Sequence, residues 1–227
     1  MLFTKVGDQR LHAFLALLVT IVVTIMVVPL FIPDTAHLMS ARILTSASLV
    51  LALWAAGIRP RALLLFVPIL IGYLGALEIG GPLRPLTTGV RLVFFGSTTV
   101  LIVRHIVRAQ KVTADTIAGA ACAYVLTALT WGTMYELLES LRPGSFDIPP
   151  TLLLPPAGDP SFALVYFSFT TLTTVGFGDI LPVNPVARAL AVLEALVGQL
   201  FPVVLIARLV AMELAYRQHR TEPAHHE

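Results

Sequence analysis

Thr170-Thr171-Leu172-Thr173-Thr174-Val175-Gly176-Phe177-Gly178-Asp179 is the stretch of this apolar chain whose residue types answer to chemistry. Glycine at the alternate positions 176 and 178 lets the backbone visit positive φ, which other residues enter only at a cost. Successive carbonyl oxygens can then point the same way. A line of such oxygens can replace the water shell of a cation. Short Thr-Val-Gly runs occur by chance, and Thr87-Thr88-Gly89-Val90 is such a decoy, read here as an ordinary helix start.

What precedes the stretch must position it. Asp159 suits a helix N-cap, Pro160 the first helical position, and apolar residues run from Phe162 to Phe169. The C-terminal end of that short helix carries roughly half a negative charge and would aim at a cation. The helix is too short to cross a bilayer. It is expected to be re-entrant, which lipid tolerates only where backbone is buried in protein or lines a watery cavity.

The 227 residues are 57% hydrophobic and 12% charged, which excludes an ordinary soluble domain. Six apolar segments reach the length of roughly 20 residues that a spanning helix needs. They are Leu11 to Phe31, Leu38 to Gly57, Ala62 to Ile79, Gly89 to Val107, Thr113 to Glu139 and Pro185 to Tyr216. The first is too long, and lacks a small-residue cleavage site, for a signal peptide. The connections among the first four are short, so neighbours are expected to be antiparallel.

With the N-terminus inside, ten of the fifteen basic residues fall on the cytoplasmic side: Lys5, Arg10, Arg59, Arg61, Arg104, Arg108, Lys111, Arg208, Arg217 and Arg220. That asymmetry follows the positive-inside rule, and five crossings bring the loop at 170–179 in from outside. The net charge of +2 is then a topology signal and implies no nucleic-acid partner. The single cysteine, Cys122, excludes a disulfide framework within the chain.

On these residues the chain resembles the tetrameric potassium channels, six-helix proteins with one pore loop per chain, whose filter motif TVGYG reads TVGFG here. The resemblance implies an all-α membrane protein with six transmembrane helices, a re-entrant pore helix, a selectivity filter and a homotetrameric pore. Potassium would be held by the carbonyls of Thr174, Val175, Gly176 and Phe177, with the Thr174 hydroxyl at the inner end, Gly178 closing the turn and Asp179 at the outer mouth. Residues 1–112 would be a sensor-like four-helix module, 113–216 the pore domain and 217–227 a short cytoplasmic tail. It further implies a passive channel in the plasma or inner membrane, both termini cytoplasmic, with three identical subunits and lipid as partners. No cofactor beyond filter potassium ions and no enzymatic activity are expected.

Phe177 lacks the phenol that could bond the helix behind the filter, so a poorly selective cation channel stays open as an alternative. So does a regulatory or sensor subunit silent without a partner. Transporters with related filters carry four loops per chain, and only one is found here. The fourth segment carries Arg91, Arg104 and Arg108 without a basic residue at every third position, so steep voltage gating is not expected.

Further candidates surround the loop. Glu194 is an intramembrane acid expected to bond Thr170 or Thr171 and steady the filter. Tyr166 could reach Asp179 or simply pack. Gly198 stands where the family's inner helix bends, and Pro202 adds a steric reason for a kink. Gln199 is expected to face a water-filled cavity or to bond a neighbouring helix. Leu205, Ile206 and Leu209 are either a hydrophobic gate or packing residues. Arg42, Glu78 and Arg91 would cluster or reach the headgroups separately. Trp131 and Tyr135 suit an outer aromatic belt. Asp147, Asp159, Asp179, Glu136 and Glu139 would make an acidic vestibule around a proline-rich turret, with Asp147 the one best read as solvated.

Overall fold

The computed structural model describes residues 18–19, 84–109, 113–153 and 159–221. All of the first three expected spans but residues 18–19, with Arg42 and Glu78, and the last six residues lie outside them. The described elements are α1 (Arg84–Arg108), α2 (Ala114–Leu141), β1 (Phe146–Asp147), a 3-10 turn (Pro150–Leu152), α3 (Ser161–Leu172), β2 (Leu181–Pro182) and α4 (Pro185–Thr221). Within α1, α2 and α4 lie three helices long and apolar enough to cross a membrane, and α3 is a shorter apolar helix.

The boundaries show which signals were strong. α1 is described from Arg84, and so is already helical five residues before the expected Gly89. α2 starts where expected, with the Thr113 hydroxyl accepting from Thr116 N at 3.3 Å. At α4, Asn184 caps the helix by accepting from Ala187 N at 2.8 Å, with Pro185 behind it. The start of α3 falls one residue past the expectation, at Ser161, while Asp159 still accepts from its backbone N–H at 3.0 Å.

Two apolar clusters join these helices. One packs α1 on α2 through Phe94, Ile102, Ala123 and Leu126, with Phe201 and Leu205 of α4 against it. Leu205 is thus a packing residue, while Ile206 is exposed. The side chain of Leu209 lies outside the described set. The second cluster joins α2, α3 and α4 around Tyr135, whose ring meets Phe146 and Phe167 edge-on, both at 5.3 Å. Tyr135 is therefore buried in this cluster and does not belong to an outer belt, while Trp131 packs on its margin.

α2 and α3 cross so closely that a Cβ on Gly132 would stand 2.9 Å from the Val165 Cα. Small residues at such crossings let backbones approach, the usual way apolar helices associate in lipid. The turn after α2 closes on itself. Both carboxylate oxygens of Glu139 are used in accepting from Gly144, Ser145 and Phe146 N–H at 2.7, 2.9 and 3.1 Å. β1 then pairs antiparallel with β2, Phe146 opposite Pro182, and Asn184 donates to Ser145 Oγ at 2.6 Å. Glu139 is thereby committed to the turn and leaves the expected acidic vestibule.

Candidate ion-conduction site

The loop after α3 is built on the end of that helix. Thr173 N donates to Phe169 O, Thr174 N to Thr171 O, and Gly176 N reaches back to Thr170 O at 3.1 Å. Positive φ then recurs at alternate residues: 61° at Thr174, 55° at Gly176 and 77° at Gly178. Two of the three are glycine, for which this region costs nothing. Thr174 is β-branched, and a positive φ there is an outlier that surrounding contacts must hold. Such an alternation of backbone hand is the one that the glycine spacing at 176 and 178 predicts.

All seven residues from Thr173 to Asp179 are exposed on the single chain, Val175 at 56% and Phe177 at 69%. An apolar, glycine-bearing strip left bare in this way is not a packed turn.

Tyr166 holds the Asp179 end of the loop. Its hydroxyl donates to Asp179 Oδ2 at 2.8 Å, and its ring stacks on Phe177 with centroids 6.2 Å apart and planes 4° from parallel. Gln199 meets the inner end, its Nε2 donating to Thr174 Oγ1 at 3.1 Å.

Behind the helix, Glu194 is wholly buried. It accepts from the Tyr135 hydroxyl at 2.5 Å and contacts Ser168 Oγ, which also donates to Ala128 O at 2.7 Å. The expected partner, Thr170, instead donates to Phe167 O in its own helix at 2.9 Å. Consecutive helical residues are about 100° apart, so Ser168 and Thr170 lie on nearly opposite sides of α3, and its rotation turns Ser168 to the acid. Thr170 serves the loop through its carbonyl alone.

Gly198 has a packing reason to be glycine. A Cβ there would lie 1.9 Å from Leu172 O, the carbonyl at the end of α3. The same oxygen accepts from the Tyr124 hydroxyl at 3.1 Å. α4 runs as one helix through Gly198 and Pro202.

At the start of the described part of α1, Arg84 lies 2.5 Å from Asp159 Oδ1 and 3.9 Å from Glu136. Arg91 pairs with Glu136, which also accepts from Thr88 at 3.3 Å. Glu136 is buried, so it too leaves the expected vestibule and serves the α1–α2 seam. Burial raises the pKa of Asp159, but hydrogen bonds from Ser161 and the Arg84 charge outweigh it and hold the carboxyl below its ordinary value. At the other end of α1, Arg208 of α4 donates to Val107 O and, at 3.3 Å, to Ala109 O. Sequence reasoning missed Ser168, Tyr124 and Arg208. A lone serine or tyrosine in an apolar helix was the available signal for the first two.

Among the described residues no group of three or more histidine, cysteine or acidic side chains is arranged to hold a metal. The chemistry on offer is that of main-chain and hydroxyl oxygens.

Comparison with known proteins points the same way. Residues 157–214, covering α3, the loop and most of α4, match a family model described as ion channel. The inward rectifier potassium channel Kirbac3.1 of Paramagnetospirillum magnetotacticum is 33% identical over 75 residues, 33% of this chain and 20% of that protein. Protein LctB of Bacillus caldotenax is 29% identical over 125 residues, 53% of this chain and 90% of that protein. The chain thus spans about a fifth of the first relative's length and nine-tenths of the second's. No solved structure matches. Among the described residues the chain is mostly helical, with three helices long and apolar enough to cross a membrane, and residues 157–214 are similar to an ion channel model.

Proposed function

We propose that this chain is one subunit of a potassium-selective channel that passes the ion down its electrochemical gradient. Four copies would set their loops around one axis, with the carbonyls of Thr174, Val175, Gly176 and Phe177 replacing the water shell of potassium. The channel lies in the cell membrane with both termini cytoplasmic, needs no cofactor, and is not steeply voltage-gated, since between Arg84 and Arg108 α1 carries only Arg91 and Arg104 as arginines, with no basic residue at every third position.

The observation that carries this reading is the alternation of positive φ at Thr174, Gly176 and Gly178 in an exposed strip directly beyond the C-terminus of α3. The ion channel match over residues 157–214 and the likeness to an inward rectifier potassium channel support it. Asp179, held by Tyr166, would stand at the outer mouth. Phe177 has no hydroxyl to offer the wall behind it, and its stacking on Tyr166 supplies a different outer support.

The test is ion flux from purified protein in liposomes, in potassium and sodium gradients, with and without barium. Barium-sensitive flux with a reversal potential that follows potassium is the expected result. Equal permeability to sodium gives a non-selective cation channel instead, and no flux at any voltage or pH gives a subunit that needs a partner.

A further inference from the structure

The contact between Gln199 and Thr174 joins α4 to the innermost residue of the loop. Three features fix its geometry. Gly198, the preceding residue, lets α4 lie directly on the Leu172 carbonyl. Tyr124 holds that carbonyl from α2 at 3.1 Å, and its ring packs on Phe201 of α4 with centroids 5.6 Å apart. Thr174 itself sits at φ 61°, a conformation that leaves its side chain little choice of direction.

A threonine hydroxyl has one hydrogen and two lone pairs, while an amide nitrogen only donates. In this contact the hydroxyl is the acceptor, so one lone pair is occupied and the other stays free for a cation. The orientation of the hydroxyl is then no longer set by the cation alone. The amide also brings no net charge to the inner mouth, where a carboxylate of nearly the same shape would attract divalent ions.

We infer that Gln199 is a specificity-determining residue of the inner mouth: by donating to Thr174 Oγ1 it sets how that hydroxyl meets an ion, and by its neutrality it limits the affinity for divalent cations. This rests on the potassium-channel reading. Gln199 acts through Thr174 and lies outside the line of carbonyls.

The experiment compares wild type with Gln199→Leu and Gln199→Glu in planar bilayers, reading potassium current and its block by barium added on the side of the α4 C-terminus. Gln199→Leu removes the donor and should weaken barium block by roughly fivefold, the worth of one hydrogen bond. Gln199→Glu exchanges the donor for a negative charge and should strengthen block by about tenfold or more. The thermal shift produced by barium on each protein in detergent gives the same ranking without current, so a non-conducting variant still reports. If wild type conducts but both variants stay within about twofold of it in block and thermal shift, the inference fails alone. A wild type that carries no potassium current overturns the channel reading, and the inference with it.

Discussion

Tyr135 donates its hydroxyl to the carboxylate of Glu194 across 2.5 Å, in a pocket where both residues are wholly buried. The same acid touches Ser168 of α3, so one side chain of α4 ties α2 to the helix that carries the loop.

The Ser168 hydroxyl has a single hydrogen and two oxygens beside it, Ala128 O and Glu194 Oε1. If that hydrogen goes to the carbonyl, a group at 194 that carries its own hydrogen completes the network, which a glutamine amide can do. Glu194→Gln is therefore expected to keep the thermal unfolding midpoint near wild type. Glu194→Leu and Tyr135→Phe each leave a buried polar atom without its partner and should cost about 1–3 kcal/mol. Unfolding in detergent checks the ranking.

Gly198 and Gly89 make a matched pair. A Cβ at 198 meets Leu172 O at 1.9 Å, whereas one at 89 meets nothing within 4 Å. Gly198→Ala should force α4 off the end of α3, lowering the midpoint and abolishing liposome flux. Gly89→Ala, inside α1, should leave flux intact and stabilise by up to about 1 kcal/mol through helix propensity.

The Arg91–Glu136 pair is shielded, with side chains 14% and 7% exposed. Removing one partner of a buried pair typically costs about 3–5 kcal/mol, because the other charge stays behind. Arg91→Met and Glu136→Gln should each destabilise strongly, and the double variant should lose less than the sum of the two. A double-mutant cycle on unfolding midpoints measures the coupling.

Asp159 supplies a pH dependence. Its folded pKa is below the ordinary 3.8, so the group stabilises the fold above about that value, and the contribution is lost as pH falls through the lowered folded value. Asp159→Asn keeps an N-cap oxygen but gives up the Arg84 pair. The stability gap between wild type and Asp159→Asn should be widest near neutral pH and close as pH falls through the lowered folded value of Asp159. A gap that stays constant across an acid titration of the midpoint contradicts this assignment.

Much of this arrangement was legible in residue types. The helices on either side of the loop follow from apolar runs bounded by Thr113, Asp159 and Asn184-Pro185, because caps are local and need no tertiary knowledge. The glycine spacing at 176 and 178 likewise announces a backbone of alternating hand, although Thr174 joining that alternation does not follow from its type. Contacts across helices were less legible, because they depend on how each helix is rotated about its axis. That rotation turns Ser168 to Glu194 and leaves Thr170 bonded in its own helix. Nor does a bare glycine reveal whether it bends a helix or admits a neighbour, and at 198 the neighbour is a carbonyl. The pairing of Arg91 with Glu136 of α2 was not legible either, while Arg42 and Glu78 lie outside the described residues.

The carbonyl of Leu172, gripped by Tyr124 on one side and abutted by Gly198 on the other, is a natural fulcrum. From Gly198 to the end of α4 at Thr221 the helix extends roughly 35 Å, at about 1.5 Å per residue. A tilt of about 5° around that point would swing the far end by roughly 3 Å over such a length. The same tilt would leave Gln199, one residue from the pivot, almost where it was. A displacement of the lower arm would therefore leave the inner end of the loop in register, and what it would have to break are the Arg208 bonds to Val107 O and Ala109 O.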